Sequence, residues 1–251
     1  MVAVPARAGY LHTKCIAMGL TTVEETTDQG PPVDEKVAGL GVSPTLGINE
    51  ESARLEAEGR QIWRLGLGQS PFPVPGAVVD ELRSHAAEKD YLPVRGLEAL
   101  REAVAGHHER TRRRSAGAGD VLVGPGSKEL IFLMQAVFDG EVLAPNPSWV
   151  SYRPQAKIAG RSFRWIPTER ASGWRVVPEV LDRACRRNPE VPMLLILNYP
   201  NNPTGDAYGD DHLEALAEVA REHQVVVLAD EIYFALDHEG GHRSLAEFYP
   251  E

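Results

Sequence analysis

Two unbroken apolar runs, Leu194–Leu197 and Val225–Ala229, flank a segment in which Leu213, Leu216, Ala217 and Ala220 recur at helical spacing. Short runs without alternation suit strands buried on both faces, and an amphipathic helix between them completes a βαβ unit with parallel strands. Asp211-His212-Leu213-Glu214 has the spacing of a capping box at the start of that helix. Upstream, the pattern predicts helices over 49–60, 78–87, 129–138 and 178–187. It predicts strands over 120–124, 141–144 and 161–166, and a short strand from Arg64 that runs into a Gly/Pro-rich stretch. The expected fold class is therefore α/β with a mostly parallel sheet. Residues 1–40 are polar, rich in Thr, Glu and Pro and weakly patterned, as a mobile arm would be.

Composition narrows the classes of partner. With a formal net charge of −10 over 251 residues, neither a nucleic acid nor an anionic membrane is an expected partner. The one dense basic run, Arg110-Thr111-Arg112-Arg113-Arg114, ends a helical segment and reads as a solvated loop. Two cysteines, Cys15 and Cys185, form neither a disulfide framework nor a CxxC motif, which suits a reducing, cytoplasmic compartment. No apolar run reaches the ~18 residues of a membrane span, and no signal-peptide pattern opens the chain.

Polar residues gather just beyond the carboxyl ends of the two apolar runs, where open α/β sheets place their ligands. The first end carries Asn198-Tyr199-Pro200-Asn201-Asn202-Pro203-Thr204-Gly205, a proline-stiffened loop with three neutral amides. The second carries Asp230-Glu231-Ile232-Tyr233. A carboxylate at the end of an apolar strand needs a cation or a donor, so Asp230 calls for a partner. Pro125-Gly126-Ser127-Lys128, between an expected strand and an expected helix, can offer backbone N–H groups to an anion. It lacks the Gly-Lys-[Ser/Thr] ending of a Walker A loop. His238-Glu239-Gly240-Gly241-His242 matches the zinc-protease spacing, but two glycines disfavour the helix that chemistry needs, and a polar turn is expected with no metal.

Together, Asn198-x-Pro200-x-Asn202-Pro203-Thr204-Gly205 and Asp230-x-x-Tyr233 resemble the fold-type I, class I/II aminotransferases, which use pyridoxal 5'-phosphate (PLP). The resemblance implies a sheet with helices on both faces. It implies that Asp230 pairs with the protonated pyridine nitrogen and that Asn202 and Tyr233 hydrogen-bond the ring oxygen. Gly126, Ser127 and Lys128 would hold the phosphate, and Trp149 would stack on the ring with Tyr152 packed behind it. Asn202 and the backbone at Gly68 would meet the substrate carboxylate. The Gly68 loop departs from the family, with Gln69-Ser70-Pro71-Phe72 where an acid-Pro-Asp usually stands. Tyr91-x-x-x-x-Gly96-x-x-x-Leu100-Arg101 is similar to a family signature whose tyrosine reaches the neighbouring subunit's cofactor phosphate, which implies a homodimer.

By the same resemblance, residues 1–40 precede the enzyme, 41–75 begin its small domain and 76–251 form an incomplete PLP-binding large domain. The family's Schiff-base lysine follows the Asp-x-x-Tyr motif. Here Lys14, Lys36, Lys89, Lys128 and Lys157 all precede it. The expectation is an N-terminal fragment of an enzyme moving an amino group between an amino acid and a 2-oxo acid, inactive alone. A strand at 120–124 would then lack a neighbour. The alternatives are a PLP-dependent lyase or synthase of the same fold, and a non-catalytic remnant or interaction module.

Overall fold

The computed structural model describes residues 32–66, 68–112, 116–238 and 240–250. The chain divides into two units between Leu40 and Gly41. In the first, the helix α1 (Glu35–Ala38) begins where the Asp34 carboxylate accepts the Lys36 N–H at 2.8 Å. The expectation of an arm over 1–31 falls outside the described residues, as do Cys15, Arg113 and Arg114.

The second unit opens with α2 (Pro44–Ala57), α3 (Gly76–Ser84) and α4 (Glu98–Arg112). It continues with α5 (Ser127–Val137), β1 (Glu141–Asn146), α6 (Tyr152–Ile158), β2 (Ser162–Pro167) and α7 (Pro178–Cys185). It closes with β3 (Met193–Asn198), α8 (Asp210–Glu222) and β4 (Val226–Asp230). All four strands are parallel, in the order β2-β1-β3-β4. Of the two unbroken apolar runs, Leu194–Leu197 falls on the central strand β3, whose residues are all buried, as are Val142, Leu143 and Ala144 of central β1. Val225–Ala229 falls on the edge strand β4, where Val226 is exposed and Val227, Leu228 and Ala229 are half-buried, against the expectation of a fully buried strand.

Alternation then sends neighbouring residues to opposite faces. Leu143, Leu195 and Leu197 join Leu181 and Cys185 of α7 and Leu213, Leu216, Ala217 and Ala220 of α8 in one core. Val142, Ala144, Leu194 and Ile196 join Ile131 of α5 and Tyr152 and Ala156 of α6 in the other. Helices thus cover both faces, as the resemblance implied. The same parity decides the site. Leu228 packs with the α5/α6 core and Asp230 lies two residues on, paired in register with Asn198.

Three local expectations fail. No strand forms over 120–124: Ala118–Asp120 is a 3-10 turn, and Val121 is extended but joins no ladder. The N–H of Val123 donates instead to the Arg95 carbonyl at 3.0 Å. An extended segment becomes a strand only through a neighbour, and none lies beside it among the described residues. Around Arg64 the backbone is likewise irregular, and Arg64 is taken by Glu56 of α2. The capping box is also absent. Helix α8 starts after Gly209 with no side-chain cap, and Asp210 and Asp211 instead place negative charge on its first turn.

Candidate active site

Everything the two sequence motifs contribute meets at the carboxyl ends of β3 and β4. A cavity of about 120 Å³ opens there. Its lining comes from Ser127 at the start of α5, Trp149 and Tyr152 around the start of α6, Asn198 and Asn202 after β3, and Asp230, Ile232 and Tyr233 after β4.

Asp230 is 8% exposed. The partner that burial demands is Tyr152, fully buried, whose hydroxyl donates to Asp230 Oδ2 at 2.5 Å. Burial first, and the neighbouring carboxylate second, push the Tyr152 phenol well above the ordinary tyrosine range, so it stays a donor. No cation pairs with Asp230 among the described residues, and no donor pairs with its second oxygen.

Asn198 ties the two loops together. Its Nδ2 donates to the Asp230 carbonyl at 2.7 Å, and its Oδ1 accepts the Asn202 N–H at 2.7 Å. Asn202 is therefore held relative to the carboxylate through one amide. Behind it the loop folds on itself, with the Gly205 N–H on the Asn201 carbonyl at 2.7 Å and Gly205 at φ +77°. That left-handed backbone favours glycine.

The opposite charge preference comes from α5. Gly126 precedes it at φ +113°, a conformation that L side chains rarely adopt, and no side chain caps the helix. The N-terminal N–H groups of an eleven-residue helix are left open there, with the positive end of its dipole. The Gln155 amide of α6 donates to the Lys128 carbonyl at 2.8 Å and accepts from Gln135 at 3.1 Å, which fixes this turn against α6. Lys128 is exposed and places Nζ 5.6 Å from the Trp149 ring centre. Trp149 in turn meets Tyr152 edge to face at 5.3 Å.

The structure thus gathers Ser127, Trp149, Asn202, Asp230 and Tyr233 in one cavity and places Gly126 and Lys128 beside it. Gly68 and Tyr91 do not line it. Gly68 is exposed, and the Tyr91 side chain is fully in solvent. The bond from Tyr152 to Asp230 and the bracing by Asn198 were not legible in the sequence. The signal for Asn198 lies in the strand register, which pairs it with Asp230. In the zinc-protease-like stretch, Glu239 is outside the described residues. His238 and His242 stand on non-helical backbone, and His242 stacks on Tyr199 at 5.1 Å.

Polarity makes the arrangement selective. One buried carboxylate without a cation and one uncapped helix N-terminus bound the same cavity, with an aromatic ring, two amides and a phenol between them. A planar ligand with a cationic ring nitrogen and an anionic phosphate matches that donor set.

The family model described as aminotransferase class I and II matches residues 60–247. An aspartate aminotransferase of Geobacillus stearothermophilus is 34% identical over 223 residues, 86% of this chain and 56% of that enzyme. An aspartate/prephenate aminotransferase of Thermus thermophilus is 33% identical, over 87% of this chain and 57% of its own. The solved structure of the Thermus thermophilus aspartate aminotransferase with maleate superposes with a TM-score of 0.81 at 33% identity, covering 88% of this chain and 58% of that one. The chain spans rather more than half the length of these relatives.

Proposed function

Since the chain belongs to the class I and II aminotransferases, we propose that its cavity holds PLP and serves amino-group transfer from an amino acid to a 2-oxo acid. The observation that carries this reading is the buried Asp230, supplied with a donor by Tyr152 but with no cation among the described residues. PLP, when bound, supplies an electron sink for chemistry at the amino acid's α-carbon.

The chain's own residues have distinct tasks in this reading. Asp230 keeps a ring nitrogen protonated through charge pairing, and Tyr152 holds the carboxylate in place. Ser127 and the open N–H groups of α5 take the phosphate, assisted by Gly126 and Lys128. Trp149 offers a ring face. Asn202 and Tyr233 orient the ring through its oxygen, and Asn202 and the Gly68 backbone reach for the substrate carboxylate. These contacts are proposed to hold the cofactor non-covalently. The aspartate in the relatives' names makes an acidic amino acid the first substrate to test.

Assembly is part of the proposal. Tyr91, which has no role in its own cavity, would serve a second copy in a homodimer, with 41–75 as the start of a small domain and 76–251 in the large one. A cytoplasmic setting goes with it. No helix among the described residues is long and apolar enough to cross a membrane.

Titration of the protein with PLP, followed by absorbance and quenching of tryptophan fluorescence, tests the cavity. Saturable binding is expected, weakened at least about tenfold in Asp230→Ala by loss of the charge-assisted pair. Equal affinity in both proteins would overturn the assignment.

A further inference from the structure

A larger cavity shares no lining residue with the first. It measures about 500 Å³ and sits between the edge strand β2 and α7. In a chain of net charge −10, its lining includes Arg164, Arg183, Arg186 and Arg187 and no acidic residue.

Two of these arginines are already neutralised. Arg164 gives Nε and Nη2 to the Glu141 carboxylate at 3.1 and 2.6 Å and Nη1 to the Ala184 carbonyl at 2.7 Å. Arg186 gives Nε to Asp182 at 2.9 Å and Nη2 to Glu222 at 3.0 Å. Arg183 and Arg187 have neither an ion pair nor a side-chain hydrogen bond among the described residues. Arg183 lies in the last turn of α7 and Arg187 two residues past its end, and both line the cavity. The apolar remainder on the α7 side is Val180 and Ala184, since the Trp165 ring packs beside Phe163 at 4.7 Å in the α5/α6 core on the other face of the sheet.

Unspent guanidinium groups suit phosphate oxygens, which they bind as planar forks. The volume falls within the ~300–1,000 Å³ of small-ligand sites. We propose that this cavity is a second ligand site, for a polyphosphate group, with phosphates on Arg183 and Arg187.

Isothermal titration of the protein with metal-free ATP, adenosine and inorganic triphosphate tests this. Triphosphate and ATP are each expected to bind one to one and with strong salt dependence, and adenosine undetectably. Replacing both Arg183 and Arg187 by alanine should weaken ATP at least about tenfold, as loss of bonds to charged groups implies. Both side chains are exposed, so the thermal melt should not move. Asp230→Ala, and saturation with PLP, should leave ATP binding unchanged, which separates this site from the first. Absence of saturable binding, or undiminished affinity in the double variant, would mean the arginines only guard the open edge of β2. Binding of adenosine as tight as that of ATP would overturn it. Tight binding of a polyglutamate peptide in place of ATP would overturn it in favour of strand addition at β2.

Discussion

Tyr152 and Asp230 are 78 residues apart in the chain, and their single hydrogen bond joins the second half of the site to the first. Tyr152→Phe keeps the ring and removes the donor. A buried carboxylate left without its bond should cost about 1–3 kcal/mol, read as a lower midpoint in urea at unchanged m-value. No loss of stability would mean that the carboxylate finds another donor. Elsewhere, hydrogen bonds from Arg186 and His223 hold the Asp182 carboxyl down at about 2. A depressed folded-state pKa adds stability that is full above the unfolded value and is lost as pH falls through the folded one. Asp182→Asn should therefore flatten the acid limb of the stability profile between about pH 4 and pH 2. An unchanged limb would show that its partners reorganise around the loss.

Among the elements, legibility followed burial. The strands β1 and β3 could be read because both faces are covered, so the stretches Val142–Ala144 and Leu194–Leu197 within them carry no polar residue. The stripe of α8 could be read because Leu213, Leu216, Ala217 and Ala220 all reach one core. Leu216→Ala should accordingly cost about 2–5 kcal/mol in urea denaturation; a cost below 1 kcal/mol would place that residue at the rim. Ladder pairing is non-local, so the extended backbone at 121–124 looked like a strand to a pattern that cannot see neighbours. The same blindness hid Tyr152, whose partner is set by sheet register. At α5, by contrast, the glycine before the helix was legible and carries a test. Gly126 sits at φ +113° in open space, so Gly126→Ala is strained through its backbone and not through a clash. It should destabilise by about 1–3 kcal/mol and weaken phosphate-ester binding at the helix end. Undiminished binding of PLP by this variant would remove the turn from the site.

At the scale of the whole molecule, polar and apolar surface are unevenly shared. Trp63, Leu65, Phe72, Leu82, Tyr91 and Val94 are all exposed, and no residue of α2 or α3 is buried. In the proposed homodimer, a second copy would cover apolar surface of that extent. Light scattering behind size-exclusion chromatography should show mass rising with concentration, and Trp63→Ser with Phe72→Ser should reduce it. A monodisperse monomer at high concentration would sink the dimer. The contrast between the two halves also sets the order in which the backbone opens. Amides of β1 and β3 should exchange with deuterium only through global unfolding, while those of α2 and α3 should exchange through local opening at little cost. Among the residues from 41 onward, trypsin should accordingly cut first after Arg60, Arg64 or Arg83 and leave the sheet, with its cavity at the strand ends, as the surviving piece.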